Sequence, residues 1–179
     1  MAGTASWYRG GIGAIPRVDL AAASGLAVID GGIAVDEHLR TAAPTVYAVG
    51  DVATAWNPRY GHHLRVEHWD NAIRQGRAVA ANILGAGIVY ERIPSLRSDQ
   101  FDLGMEYRGY APAWDRVVVH GDVRSHEFVA FWLVSGCVTA VMNANRWDTA
   151  DALTRLVEAW EMIDPEPFVG FPVVHGDVA

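Results

Sequence analysis

Apolar residues recur along this chain in two rhythms. In VEHWDNAIRQGRAVAANILG, Trp69, Ile73, Gly76, Ala80 and Ile83 fall three or four apart. That spacing places them on one face of a helix, and Arg74 and Arg77 lie off it. A glycine inside a helix costs about 1 kcal/mol relative to alanine. Gly76 on the apolar face therefore predicts close packing against a neighbour, and Gly85 is a suitable stop. DTADALTRLVEAW repeats the helical rhythm with Leu153, Leu156, Val157 and Trp160, and Asp148 with Asp151 forms an N-terminal capping signature. Between these helices, FDLGMEYRGYA, DRVVVHGD and HEFVAFWLVSGCVTAVMNANR favour strands, with a tight turn at Ser135-Gly136. Short gaps predict a local antiparallel meander. Strands followed by a helix predict an α+β module with the helix on one sheet face.

The first half is less regular. Residues 1–10 show no period, and Gly11-Ile12-Gly13 reads as a turn. Pro16 fits the first turn of a short helix through Asp19, Leu20 and Ala23, with Gly25 as its terminator. GLAVIDGGIAVDEHLRT reads as two short strands around Asp30-Gly31-Gly32. In TVYAVGDVATAW, the strand-like Val46, Tyr47, Ala48 and Val49 stop at Gly50-Asp51. Residues 55–65, with Pro58, Gly61 and the pair His62-His63, are expected to be a loop. The tail, DPEPFVGFPVVHGDVA, has no period and is expected to lie extended on something. A change of character near residue 90 places a boundary there, between residues 1–90 and 91–179.

Charge and composition narrow the partners. A formal net charge of −7 argues against nucleic acid and anionic membranes. No apolar run reaches the ~20 residues of a membrane span, and the start lacks a secretory signal pattern. The single cysteine, Cys137, excludes an internal disulfide, a Cys-x-x-Cys pair and a cysteine-rich zinc site. A reducing cytoplasm is the expected location. Cys137 lies in an apolar strand and is expected to be a buried small hydrophobe. His62, His63 and His68 lack a matching carboxylate or cysteine set, so a solvated loop is expected there, not a metal. The seven tryptophans are expected mostly in cores and interfaces.

Three stretches, in this order, resemble the C-terminal portion of the FAD-dependent ferredoxin and rubredoxin reductases. They are GIGAIPRVDLAAASGLAVIDGGIAVDEHLRTAAPTVYAVGDVA, LRVEHWDNAIRQGRAVAANILG, and IPSLRSDQFDLGMEYRGY with the strands that follow to NANRWDTADALTRLVEAW. Those flavoproteins carry electrons in cytochrome P450 and ring-hydroxylating oxygenase systems and belong to the pyridine nucleotide-disulfide oxidoreductase superfamily. The resemblance covers about residues 11–161, and Gly50-Asp51 followed by Glu67-His68-Trp69 is specific in combination. It implies that residues 11–90 are the second half of an FAD domain, an α/β remnant. The remainder is implied to be the reductase C-terminal α+β domain, an antiparallel sheet with a helix on one face.

The resemblance also assigns roles. Gly50 lets the backbone approach, and Asp51 accepts a hydrogen bond from the flavin ribityl chain. Glu67, His68 and Trp69 open a helix whose positive end meets the flavin pyrimidine edge. From the residues alone, an isolated Gly50-Asp51 pair reads as a turn or capping aspartate, while Glu67 is as readily a cap and Trp69 a core residue. Leu96-Arg97 stands where the family usually carries Phe-Trp. Arg97 there is compatible with an acidic ferredoxin, with another electron-transfer route, or with loss of function. Ser98-Asp99-Gln100 is read as a structural turn.

A dinucleotide site needs Gly-x-Gly-x-x-Gly between a strand and a helix. Gly11-Ile12-Gly13-Ala14-Ile15-Pro16 carries proline at the third position and is read as a turn. The FAD phosphate cradle and the NAD(P)H site are therefore expected to be missing. With no dithiol, disulfide exchange is excluded and direct flavin-to-iron–sulfur transfer remains.

Two functions are compatible with these residues. In the first, the chain is part of an NAD(P)H:ferredoxin reductase, inactive alone and weak in FAD affinity, with no catalytic residue of its own. Its partners are an iron–sulfur ferredoxin and either a missing N-terminal half or a second copy. In the second, it is a standalone dimerisation or interaction module derived from that reductase and lacking cofactor.

Overall fold

The computed structural model describes residues 13–160 and the strand residues 173–174. The readings of residues 1–12 and of most of the tail lie outside them. Helix α1 (Asp19–Ala23) follows Pro16 and ends at Gly25, whose φ is 80°. There the Leu26 N–H donates to the Ala21 carbonyl at 3.0 Å. Strands β1 (Val28–Ile29) and β2 (Gly32–Val35) form a hairpin through Asp30 and Gly31, at φ 49° and 74°. Two positive φ values match the turn to the strand twist.

β2 pairs in parallel with β3 (Ala53–Asn57), and β3 pairs antiparallel with β4 (His62–Arg65), giving the order β1-β2-β3-β4. Two expectations change here. Residues 55–65 are a β-hairpin rather than a loop. Pro58 and Gly61 belong only to its turn, which Gly61 N–H closes on the Asn57 carbonyl at 2.9 Å. Residues 46–49, expected to be a strand, make only the isolated bridge Tyr47–Arg40. Val49 is extended, φ −144° and ψ 158°, yet no ladder strand lies beside it among the described residues. Strand-forming residues set backbone shape, whereas a ladder requires a neighbour.

Helix α2 (Trp69–Ile83) stops at Gly85 as expected, with Ala86 N–H on the Ala81 carbonyl at 3.0 Å. Its predicted inner face points outward. Trp69, Ile73 and Ile83 are 64%, 46% and 62% exposed, whereas Asn71, Gln75 and Ala78 are buried. Gly76 meets no neighbour, so the close packing expected of it is absent. The buried polar face is anchored. Asn71 donates to the Val66 carbonyl at 3.0 Å and accepts from the Tyr90 hydroxyl at 2.9 Å. Asn82 donates to the His38 carbonyl at 3.0 Å.

The second sheet contains β5 (Ser95–Gln100), β6 (Leu103–Gly109), β7 (Arg116–Asp122), β8 (Glu127–Val134), β9 (Cys137–Ala144) and β10 (Val173–Val174). All pairings are antiparallel, in the order β10-β7-β8-β9-β6-β5. The expected meander holds for β7-β8-β9, turning at Ser135-Gly136, φ 51° and 80°. β6 pairs with β9, so the sheet is not wholly local. Ser98-Asp99-Gln100 is strand, and the turn comes after it at Phe101, φ 55°. Of the tail, Val173 and Val174 pair with His120 and Val119 at the β7 edge.

Helix α3 (Ala150–Ala159) covers one face of this sheet, as expected. Leu153, Leu156 and Val157 share a core with Val129, Phe131 and Val141. The Asp148–Asp151 cap does not form. A 3-10 turn, Trp147–Thr149, precedes the helix, and no side chain caps it. Trp160 leaves the helix in a left-handed conformation, φ 49°, and is exposed. No tryptophan among the described residues is buried, and Cys137 is only part-buried. Arg59, in the β3–β4 turn, joins the hairpin to the end of α3. It donates to the carbonyls of Val157 and Glu158 at 2.7 and 2.8 Å and stacks on Trp160 at 5.1 Å.

Candidate functional site

Gly50 and Asp51 open a 3-10 turn, Gly50–Val52, between residues 46–49 and β3. Gly50 has φ 73°, and a Cβ there would come within 3.3 Å of the Ala72 side chain. The position needs glycine both for its backbone and for the approach of α2. The Gly50 N–H donates to Gln75 Oε1 at 2.7 Å, which locks the turn to the helix. The Asp51 side chain is exposed and has no hydrogen-bond or ion-pair partner among the described residues. It is therefore neither the turn bond nor the cap that its residue type alone allows.

Arg65, which no local sequence signal marks, organises the surroundings of Asp51. It donates to the backbone carbonyls of Asp30 and Asp51 at 3.1 and 3.4 Å, and to the Glu67 carboxylate. Glu67 is thus an ion-pair partner rather than a helix cap. His68 is the N-cap residue of α2 by backbone, φ −145° and ψ 141°, and its side chain caps nothing. Its Nε2 lies 3.2 Å from the Arg97 N–H, and its Nδ1 is buried without a partner. The ring lies 5.4 Å from that of Trp69, whose exposure removes the core reading.

The five predicted site residues thus gather at the start of α2. Gly50 and Asp51 meet it through Ala72 and Gln75, and Glu67 reaches the Asp51 backbone through Arg65. The first turn has no side-chain cap, so its leading N–H groups are left to another acceptor. Two clefts flank His68. One, of about 240 Å³, carries Arg74, Arg92, Arg97 and Arg108 against Asp70 and Glu106. The other, of about 360 Å³, is lined by Leu64, Leu96, Tyr107 and Tyr110. Burial raises the Tyr107 phenol above its usual range. Arg97 pairs with Asp99 at 3.1 Å, which raises its guanidinium, and it stacks on Trp147 at 5.0 Å. Trp147 in turn rests on Gly104, where any Cβ would collide with its ring.

A free carboxylate, a glycine in close approach and an uncapped helix start suit one edge of a flavin: its hydroxylated chain and its pyrimidine carbonyl. Among the described residues no three His, Cys, Asp or Glu side chains gather as metal ligands. No described helix is long and apolar enough to cross a membrane.

Comparison with known proteins shows the family. A family model described as pyridine nucleotide-disulphide oxidoreductase matches residues 8–76. One described as reductase C-terminal matches residues 97–169. The ferredoxin–NAD(+) reductase component of the anthranilate 1,2-dioxygenase system of Burkholderia cepacia is 40% identical over 157 residues, covering 87% of this chain and 38% of that protein. Putidaredoxin reductase of Pseudomonas putida is 38% identical over 136 residues, covering 76% of this chain and 32% of that protein. The solved covalent putidaredoxin reductase–putidaredoxin complex superposes with a TM-score of 0.76 at 34% identity, over 86% of this chain and 36% of that one. The chain therefore spans between 32% and 38% of the length of these curated relatives. It belongs to the pyridine nucleotide-disulphide oxidoreductase superfamily, and it matches the C-terminal portion of the FAD-dependent ferredoxin reductases.

Proposed function

We propose that this chain provides the second half of an FAD domain (residues 1–90) and the C-terminal domain (91–179) of an NAD(P)H:ferredoxin reductase serving an oxygenase or P450 system. The observation that carries the reading is the unpaired Asp51 carboxylate, held beside the uncapped start of α2 by Gly50 and Gln75. Bound FAD would supply the hydride-accepting and single-electron-releasing chemistry between NAD(P)H and an iron–sulfur partner. The chain's own residues bind and orient it. Asp51 accepts a hydrogen bond from a ribityl hydroxyl, and Gly50 keeps that approach open. The positive end of α2 stabilises negative charge on the pyrimidine edge. The arginine-lined cleft beside Arg97 suits an acidic iron–sulfur partner by charge complementarity.

In this reading the phosphate cradle and nicotinamide site come from a separate N-terminal segment, so the isolated chain is inactive and takes up little FAD. Purification with added FAD, followed by an NADH oxidation assay, tests this. Substoichiometric flavin and no oxidation are expected. Stoichiometric FAD with turnover would overturn it. Mixing the chain with the N-terminal segment of the Burkholderia cepacia relative should then raise flavin binding, and Asp51→Ala should weaken it.

A second reading is a standalone interaction module, favoured by the uncovered apolar stripe of α2 at Trp69, Ile73 and Ile83. Such a stripe marks a contact surface. Light scattering separates the two: a stable dimer supports the module, and a monomer at high concentration counts against it.

A further inference from the structure

We propose that His68 is a proton-controlled joint between the start of α2 and the edge strand β5. β5 ends the second sheet, and an edge strand leaves outward N–H groups unpaired. The Arg97 N–H is one of these, and it meets His68 Nε2 at 3.2 Å. A ring nitrogen accepts a hydrogen bond only when it carries no proton. The neutral ring therefore holds its proton on Nδ1, which is buried and bonded to nothing.

Protonation of Nε2 places a donor against a donor, and the Arg97 amide loses its acceptor. The surroundings offer the resulting cation little. From α2, Asp70 is taken by Arg74 at 2.7 Å. Ahead of the helix, Glu67 is taken by Arg65. From β6, Glu106 is taken by Arg108 at 3.1 Å. Asp99 of β5 is taken by Arg97 itself, Arg92 enters the same cleft from the linker, and burial keeps the neighbouring Tyr107 phenol neutral. The positive end of α2 opposes a charge on its own N-cap residue. The joint is made by the neutral ring and is lost when Nε2 carries a proton.

His68 acts here as a positioning residue. Through it, the strand that carries Arg97 sets the start of the helix that Gly50 and Asp51 face. The consequence for electron transfer rests on the flavin reading above, but the joint itself does not.

Nitrogen-15 NMR of the 179-residue chain tests it without flavin. The neutral His68 ring should show an unprotonated Nε2. The Arg97 amide should be protected from exchange and should lose about tenfold of that protection as His68 titrates, the scale of one hydrogen bond. His68→Phe should abolish the protection at every pH. His68→Gln, whose carbonyl can accept, should keep it without pH dependence. A neutral ring with its proton on Nε2, or Arg97 protection constant through the titration, would overturn the joint. Both of these decisive readouts come from the unmutated chain, so they stand even where a variant fails to fold.

Discussion

α2 and α3 carry apolar stripes of the same kind and meet opposite fates. In α3 the stripe is buried: Leu153, Leu156 and Val157 lie in one core with Val129, Phe131 and Val141. In α2 it is exposed, and the polar residues Asn71 and Gln75 face inward. Helical periodicity identifies an element and divides its faces. It does not say which face finds a cover within the same stretch of chain. α3 lies against strands close to it in sequence. α2 is held to its neighbours by hydrogen bonds and offers its greasy face to something else.

That contrast can be broken by mutation. The largest expected effect is in α3: Leu156→Ala should cost about 2–5 kcal/mol in urea unfolding, the range for a truncated core leucine. Ile73→Ala, the same kind of deletion on the α2 stripe, should stay within about 0.5 kcal/mol. Equal losses would show that the α2 stripe is covered in solution.

Next comes the polar side of α2. Gln75→Leu leaves the Gly50 N–H without its acceptor, which should cost about 1–3 kcal/mol. If the inward polar face were incidental, the same urea titration would show no loss.

The third effect is on alkaline stability. Burial pushes the Tyr90 phenol from 10.0 up to about 12. A raised folded value means stability is full below 10.0 and is lost as pH rises toward 12. Phenolate absorbance should show this tyrosine ionising together with unfolding. Tyr90→Phe should remove that step while losing the hydrogen bond to Asn71. The smallest effect belongs to the surface. Arg97→Ala breaks an exposed, solvent-screened pair with Asp99 and should leave the urea midpoint almost unchanged.

The same contrast separates what is legible in the sequence from what is not. α1, α2, α3 and the Ser135-Gly136 turn follow from local spacing and turn chemistry. The β3–β4 hairpin is hidden because Pro58, Gly61 and two histidines mimic a loop, while its pairing depends on β2 alongside. Residues 46–49 suit a strand by residue type, but a ladder needs a neighbour, and none lies beside them among the described residues. At the site, Gly50-Asp51 and Glu67-His68-Trp69 stand out by their flanking pattern. Gln75 and Arg65 do not. Their bonds to Gly50 and Asp51 span 25 and 14 residues, and neither spacing leaves a local mark.

Arg59 has a kinetic consequence. Its bonds to Val157 and Glu158 join residues 98 and 99 positions apart. Bringing such ends together carries a loop-closure cost that local hairpins escape. The β3–β4 hairpin and the second sheet with α3 can therefore each form before this bond closes. Arg59 is then expected to fasten late, so Arg59→Ala should speed unfolding in a stopped-flow measurement and leave the folding rate nearly unchanged.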